Sequence, residues 1–373
     1  MKLIITGFSN SGKTTVFNAL TGLELETTVY PTSISADVEP HPGIVKIPDV
    51  RIDRLSDVYN PKKTTYATVE YIDYLGITSA AAGGDVSQNT KVFNLIKDAE
   101  AVVHVVRAFE DESIMHPLST VNPVRDVTSF EAELILGDLE FVENRLEKIA
   151  AQEKRGKKQD EADKKLLLKC KAALEEETSL RDVEFSDEER RLMLPYQFLT
   201  TMPEIIVLNI EESDISSDKA KKYQSEIETY FKNTGIGAVP PVLTLCGKIE
   251  MEIAQLPPDE ARAFLDDLGI DEPAMHKLCH VSYDALGLLS FFTVGEDEVR
   301  AWTIKKGTAA QQAAGKIHSD IERGFIRAET VSYDDFISSG ESMAAVKEKG
   351  LARLEGKTYE VKDGDIINFK FNV

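Results

Sequence analysis

Residues 1–20 have the sequence MKLIITGFSN SGKTTVFNAL, and this segment is the strongest indication of fold in the chain. Gly7 to Thr14 fit the pattern G-x-x-x-x-G-K-[ST], directly after the apolar run Lys2–Thr6 and at the start of a helical pattern over Lys13–Leu20. Glycines let the backbone curl so that several N–H groups point at one phosphate, and the helix N-terminus adds partial positive charge. The stretch therefore predicts a strand, a phosphate-binding loop and a helix.

This loop also predicts which atoms hold a nucleotide. Lys13 is expected to neutralise the β- and γ-phosphates and is a catalytic candidate, because charge develops on those oxygens during phosphoryl transfer. The Thr14 hydroxyl is the first candidate ligand for Mg²⁺. The predicted nucleotide contacts of the loop and first helical turn are Asn10, Ser11, Gly12, Lys13, Thr14 and Thr15.

A second motif, Asp73-Tyr74-Leu75-Gly76, follows the apolar run Val69–Ile72. At the end of a strand after a phosphate loop, such an aspartate holds Mg²⁺ through water, and the glycine N–H senses the γ-phosphate. We therefore assign Asp73 to the metal and Gly76 to catalysis. The alternative is a plain turn.

Three further apolar runs lie at Ala101–Val106, Ile205–Leu208 and Pro241–Leu245. Most are β-branched and nearly continuous, which is typical of strands buried on both faces of a parallel sheet. Helical patterns lie between several of them, so the sequence predicts a doubly wound α/β domain.

The charged, leucine-rich segment 128–200 shows apolar residues at helical spacing on both sides of a break at residues 154–158. It predicts an antiparallel helical hairpin with a basic tip, inserted between two strands. The predicted division is 1–127 and 201–284 for the α/β domain, 128–200 for the hairpin and 285–373 for a small α+β domain.

Composition limits the partners. The 373 residues include 43 basic and 64 acidic side chains, a net charge of −21, so we expect neither general DNA coating nor a sequence-specific DNA partner. No apolar run is long enough to span a membrane. The three cysteines, Cys170, Cys246 and Cys279, are widely spaced and predict neither disulfides nor zinc. We expect a monomeric cytoplasmic protein.

The base-reading motif is unusual. A guanine reader normally presents Asn-Lys-x-Asp after a later strand, and no [NT]-K-x-D occurs in this chain. The run Ile205–Leu208 is followed instead by Asn209-Ile210-Glu211-Glu212. Without the aspartate there is no carboxylate to accept from guanine N1–H and the 2-amino group, which removes the reason for guanine preference. The alternative for Asn209 is a helix N-cap.

With these residues the chain resembles the YchF / Obg-like ATPases of the translation-factor class. The resemblance runs nearly end to end and is strongest at the C-terminus. The matching segments are the phosphate loop, Val38–Pro40, Ile47–Asp53, Asp73–Gly76, His104–Phe109, Asn209–Glu212, Ser290–Thr293, Glu298–Thr303, Ala313–Gly315, His318, Glu322–Glu329, Leu354–Lys357 and Asp363–Asp365.

The resemblance implies a G domain with an inserted coiled-coil hairpin and a C-terminal TGS domain of β-grasp-like fold. It also implies hydrolysis of ATP in preference to GTP, potassium-linked activity and association with ribosomes. Asn10 matches a residue that helps hold the monovalent cation, and Ile210 would offer backbone to adenine. Glu212 and Cys246, the latter in the last base-contacting loop, complete the implied base site.

The family lacks the usual water-orienting glutamine, and Ile77 stands at that place here. The resemblance implies that His116 substitutes for it; the alternative is an exposed loop histidine. In the first switch Thr32, Ser33 and Ser35 are all candidates for the Mg²⁺ ligand, with Thr32 the first choice. Both switches, and Ser9 and Ser11 in the loop, depart from the family pattern.

The first hypothesis is therefore a slow Mg²⁺-dependent ATPase that binds ribosomes, with Lys154, Arg155, Lys157 and Lys158 of the hairpin tip as candidate rRNA contacts. The second is a nucleotide-gated ribosome- or RNA-binding module with negligible hydrolysis. The third is a GTPase with an atypical base loop.

Overall fold

The computed structural model describes residues 1–25, 39–78, 89–156, 160–215, 217–234 and 239–372. The strands are β1 (Lys2–Thr6), β2 (His41–Lys46), β3 (Lys63–Thr65), β4 (Thr68–Asp73), β5 (Ala101–Ala108), β6 (Glu204–Ile210), β7 (Val242–Leu245), β8 (Leu288–Thr293), β9 (Glu298–Lys305), β10 (Phe325–Ser332), β11 (Arg353–Glu355) and β12 (Asp365–Phe371). The helices are α1 (Lys13–Thr21), α2 (Val50–Tyr59), α3 (Asn89–Asp98), α4 (Pro123–Lys154), α5 (Glu161–Glu175), α6 (Asp187–Met193), α7 (Asp218–Thr234), α8 (Gly247–Gln255), α9 (Pro258–Leu268), α10 (Ala274–Ala285), α11 (Ala310–Ile317), α12 (Ser319–Arg323), α13 (Tyr333–Ser338) and α14 (Met343–Glu348). None of these helices is long and apolar enough to cross a membrane.

The predicted parallel sheet is confirmed. Its strand order is β2-β4-β1-β5-β6-β7, and the pairs β1–β4, β1–β5, β5–β6 and β6–β7 are all parallel. Every residue of β5 and β6 is buried, which explains why most of their residues are apolar on both faces. The phosphate loop, Asp73 and Asn209 follow or end strands at one edge of this sheet, where ligands bind in open α/β folds.

The inserted hairpin consists of α4 and α5, which pack through a core that includes Val142, Leu167 and Cys170. Helix α4 begins at Pro123, ahead of the predicted boundary at 128, and ends at Lys154, where the sequence predicts the break. The buried Asp138 carboxylate accepts hydrogen bonds from the N–H groups of Leu199 and Thr200 at 2.9 Å each, which fixes the returning chain against α4.

A buried ionic cluster lies at the root of this hairpin. The His104 ring is 2.9 Å from the Glu204 carboxylate and stacks on Phe130, with centroids 3.8 Å apart. Arg181 bridges Glu204 at 3.2 Å and Glu131 at 3.1 Å. Burial and the neighbouring Glu204 carboxylate raise the pKa of Glu131 well above its usual value. Burial opposes ionisation of Glu204 too, but hydrogen bonding to His104 and the Arg181 charge lower its pKa to about 2.

The chain separates into two compact units, residues 1–43 with 70–278 and residues 44–69 with 279–373. This differs from the predicted division, which places 44–69 in the α/β domain. The reason is the short strand β3, which pairs in parallel with β9. The Arg51 guanidinium also forms a 2.6 Å salt bridge with Asp363 inside this unit.

The second unit is a small α+β domain, as predicted. Its sheet has the order β11-β10-β12-β8-β9-β3 and mixes antiparallel pairs, such as β8–β9, with the parallel pair β12–β8. The helix α11 covers its core, where Ala313 and Ala314 pack with Phe291 and Phe369.

Candidate nucleotide site

The phosphate loop has the backbone that its glycines predict. Gly7 and Gly12 have φ of 142° and 91°, and Asn10 also has a positive φ of 63°. A Cβ on Gly12 would lie 2.2 Å from Asn209 Nδ2, and one on Gly7 would lie 2.3 Å from the Val105 carbonyl oxygen. Both glycines are therefore required by the loop conformation and by the close approach of β5 and β6.

Lys13 is at the start of α1 and is 9% exposed. Its Nζ donates to the Phe8 carbonyl at 2.9 Å. Burial lowers the pKa of Lys13 to about 8, and the nearby Asp73 charge opposes that shift. The ammonium is thus held inside the loop, in a poorly solvated position where an added phosphate would gain strongly from its charge.

Thr14 and Asp73 form the candidate metal pair. Thr14 Oγ1 donates to Asp73 Oδ2 at 2.8 Å. The other oxygen, Asp73 Oδ1, is buried without a hydrogen-bond partner among the described residues, and burial raises the Asp73 pKa. These hard oxygen donors fit Mg²⁺, which takes one or two protein ligands and completes its shell with phosphates and water. The described residues contain no cluster of three or more histidine, cysteine or acidic side chains able to hold a metal.

The Asp-x-x-Gly segment is closed onto the phosphate loop. Ile77 N–H donates to the Gly7 carbonyl at 3.0 Å, and a Cβ on Gly76 would lie 2.6 Å from that same oxygen. The same Cβ would lie 2.8 Å from Lys13 Nζ. Only glycine fits here without displacing the loop. Gly76 thus lies beside the atoms that are predicted to meet the γ-phosphate.

Asn209 joins two backbone segments. Its Nδ2 donates to the Ser11 carbonyl at 3.0 Å, and its Oδ1 accepts from Gly247 N–H at 2.9 Å. Thr15 of α1 lies against the same place, with Cγ2 3.3 Å from where a Gly247 Cβ would be. Because Asn209 is 5% exposed and its amide bonds backbone at both ends, the geometry is that of a positioning residue. Direct base reading by Asn209 stays a prediction.

The helix N-cap alternative for Asn209 is wrong, since the residue belongs to β6 and Glu211 precedes the following turn. Ile210 ends that strand with a buried side chain, whereas Glu212 is exposed at the start of the turn. Cys246 is buried directly before α8, and burial raises the pKa of its thiol. The roles of Ile210, Glu212 and Cys246 at a base stay predictions.

His116 is buried, so the exposed-loop alternative is wrong. Its Nε2 is 2.9 Å from Asp126 Oδ2, and its Nδ1 accepts from Leu118 N–H at 3.1 Å. Because Nδ1 accepts from Leu118, Nε2 is the ring nitrogen that can donate to the Asp126 carboxylate. Both ring nitrogens are engaged, and orientation of an attacking water by His116 stays a prediction that requires this loop to rearrange.

Sequence reasoning missed Arg107, at the end of β5. It is 2% exposed and donates to the carbonyls of Phe109, Asp111 and Ile114 at 3.1, 3.3 and 2.9 Å. The loop held in this way presents the next carbonyl, that of Met115, to Asn10 Nδ2 at 3.0 Å. The available sequence signal was a cation directly after the mostly apolar run Ala101–Val106.

Some predicted positions lie outside the described residues. They are the switch candidates Thr32, Ser33 and Ser35, most of the second switch, and Lys157 and Lys158 of the hairpin tip. The buried Ser11 hydroxyl, by contrast, is described and has no hydrogen-bond partner within the described part of the chain.

The fold and this site define a P-loop nucleotide-binding protein of the GTPase type. Residues 2–134 match a sequence family described as 50S ribosome-binding GTPase, and residues 288–372 match the YchF-GTPase C-terminal family, described as a protein of unknown function.

The full chain is similar to the ribosome-binding ATPase YchF of Bacillus subtilis, with 42% identity over 369 residues that cover 99% of this chain and 98% of the relative. It is similar to the protein of the same name from Escherichia coli O157:H7, with 39% identity over 370 residues and the same coverage. The solved Schizosaccharomyces pombe YchF GTPase matches with a TM-score of 0.80 and 29% identity over 99% of this chain and 97% of that one. The chain belongs to the YchF family.

Proposed function

We propose that the protein is a Mg²⁺-dependent nucleoside triphosphatase that prefers ATP to GTP and associates with ribosomes. The observation that carries the proposal is the phosphate loop with Lys13 inside it and the Thr14–Asp73 pair, 2.8 Å apart, beside it. This arrangement supplies the positioning and charge on which phosphoryl transfer depends.

Each residue has a separable task. Backbone N–H groups of the loop hold the β-phosphate, and Lys13 exchanges its bond to the Phe8 carbonyl for phosphate oxygens. Thr14 and, through water, Asp73 would hold Mg²⁺, which neutralises charge on the β- and γ-phosphates when bound. Gly76 lies close enough to Lys13 to meet the γ-phosphate.

The preference for ATP rests on the base loop. The Bacillus subtilis relative is named an ATPase and the Schizosaccharomyces pombe protein a GTPase. This chain has no [NT]-K-x-D, so it lacks the aspartate that would pair with guanine. The Asn209 amide already bonds backbone at both ends, which supports a positioning role for it, and Glu212 is exposed at the start of the next turn. Base selection then depends on the backbone after Ile210 and on the wall formed by Cys246.

Turnover is expected to be slow. Ile77 at the water-orienting place cannot donate or accept through its side chain, and the His116 ring bonds Asp126. The same observation favours a second candidate function, a nucleotide-gated ribosome- or RNA-binding module with negligible hydrolysis. Potassium dependence through Asn10, and Thr32 as a further Mg²⁺ ligand, belong to the first proposal.

Phosphate release tests the proposal. We expect ATP to be hydrolysed faster than GTP, and Lys13→Ala to abolish release, while Lys91→Ala, an exposed lysine on α3, leaves it unchanged. Sedimentation with ribosomes is the second readout. ATP-dependent pelleting with no phosphate release identifies the binding module, and equal release by Lys13→Ala contradicts the site.

A further inference from the structure

A pocket of about 340 Å³ opens on the hairpin, away from the nucleotide site. Its lining consists of two aromatic side chains, two cations, one amide and a proline: Phe141, Tyr196, Arg145, Lys148, Asn144 and Pro195. None of these is acidic, although the chain has 64 acidic and 43 basic residues. The pocket is therefore a local exception to the charge of the molecule.

The aromatic side chains form a preorganised surface. The Phe141 and Tyr196 rings have centroids 5.9 Å apart, and the buried Phe198 ring packs on both. The Tyr196 hydroxyl donates to Asp163, which fixes the ring and engages that carboxylate. A further cation, Lys97, lies 4.4 Å from the Phe141 centroid.

The cations of the pocket have no carboxylate partner among the described residues, and the Arg145 guanidinium lies 5.9 Å from the centroid of the Tyr196 ring, which is an aromatic contact and not an ion pair. Arg145 and Lys148 are exposed and form no salt bridge with any residue that the structure describes. On the neighbouring helix α5, by contrast, Lys164 is paired with Glu153 and Lys171 with Glu143, both at 2.8 Å.

Helical spacing places the basic and the acidic residues of α4 on different faces of the helix. Phe141, Arg145, Lys148 and Arg155 follow one another at four-, three- and seven-residue steps, which places them on one face that runs from the pocket toward the hairpin tip. The acids Glu140, Glu143 and Glu147 fall on a different face of the same helix.

We propose that this pocket binds an unpaired nucleotide of RNA. Aromatic rings stack on bases, an amide reads base edges, and Arg and Lys pair with the flanking phosphates, which is the combination that single-stranded RNA sites use. The basic face of α4 then follows the strand toward Arg155. The inference rests on the proposed ribosome association and names its partner as single-stranded rRNA.

The test is fluorescence anisotropy of a labelled 12-nucleotide single-stranded RNA with the full chain and no nucleotide. We expect Arg145→Ala with Lys148→Ala to weaken binding about tenfold or more and to lower the salt slope by about 1.4, as for two lost phosphate contacts. The matched control is Lys164→Ala with Lys171→Ala, which removes the same charge from the same hairpin. Phe141→Leu, which keeps an apolar side chain but removes the ring, should weaken binding at least about fivefold by loss of stacking.

Equal losses in the pocket and control variants overturn the inference, because they reduce it to net charge. Reduced ribosome pelleting with unchanged RNA affinity also overturns it, since the face then contacts a ribosomal protein. Competition by free UMP as effective as that by the oligonucleotide would assign the pocket to a mononucleotide instead. If the wild-type chain does not pellet with ribosomes at all, the proposed ribosome association fails. If the wild-type chain and the pocket variants pellet equally, the proposed ribosome association stands.

Discussion

Replacing Asn209 by alanine distinguishes two possible roles of this residue, which are positioning of the phosphate loop and reading of the base. The side chain makes two hydrogen bonds, to the Ser11 carbonyl and from Gly247 N–H, in a site that is 5% exposed. Each hydrogen bond contributes ~1 kcal/mol, so Asn209→Ala should remove ~2 kcal/mol from the free energy that holds the phosphate loop in its binding conformation. This loss corresponds to about 30-fold in nucleotide affinity. Because the loop holds phosphates and not bases, ADP and GDP should lose affinity by the same factor.

Calorimetric titration of Asn209→Ala with ADP and GDP is the assay. Asn18→Ala is the matched control: Asn18 is 3% exposed and also bonds backbone at both ends, to Leu25 O at 2.9 Å and from Leu25 N at 3.1 Å. Asn18→Ala should lower the thermal stability of the protein by about as much as Asn209→Ala does. It should leave the affinities for ADP and GDP unchanged. A change in the ADP-to-GDP ratio in Asn209→Ala would refute a role confined to the phosphate loop and show that Asn209 also acts on the base site.

Other predictions concern the loop, the metal and the ionic cluster. Gly12→Ala should abolish ADP binding by calorimetry because its Cβ would overlap Asn209, whereas Gly22→Ala, at φ 68° with open space, should cost only ~1 kcal/mol of stability; tight binding by Gly12→Ala would contradict the loop geometry. Asp73→Asn should make ADP affinity equal in Mg²⁺ and in EDTA, and a retained Mg²⁺ effect would remove Asp73 from the metal site. Since the Glu131 pKa is raised in the fold, the native state holds an extra proton and loses stability as pH rises above ~4.5. As the pH rises above ~4.5, Glu131→Gln should therefore gain stability relative to wild type by up to ~1.4 kcal/mol per pH unit in denaturant titrations. The control Glu140→Gln, at an exposed position, should gain none. A difference between Glu131→Gln and wild type that does not depend on pH would mean that Glu131 is ionised.

The nucleotide-binding fold could be predicted because its strands are buried on both faces. The apolar runs in β1, β5 and β6 are nearly continuous, and this pattern can be recognised from the sequence alone. Short or mixed strands could not be predicted in this way. β3 has three residues and joins a sheet through a partner more than 200 residues away, and β10 alternates buried and exposed positions irregularly.

The candidate site was predictable where motif and position coincide. Lys13, Thr14 and Asp73 meet as expected, because both motifs follow neighbouring parallel strands. The contacts of Asn209 and Arg107 were not predictable, because they depend on which backbone atoms a buried side chain meets in three dimensions. The groups that Asn209 and Arg107 bond are main-chain groups, which are present at every residue and therefore leave no signal in the sequence.

We propose that this P-loop site binds Mg²⁺ and ATP. Calorimetric titration of the protein with ATP and with GTP, with Mg²⁺, first in potassium and then in sodium, tests this proposal. We predict that ATP binds at least about tenfold tighter than GTP, a difference of about 1.4 kcal/mol, with Mg²⁺ required for the tighter affinity. Tighter binding of GTP, or binding of neither nucleotide, would contradict the proposal and leave the ribosome- or RNA-binding module as the function that the fold supports.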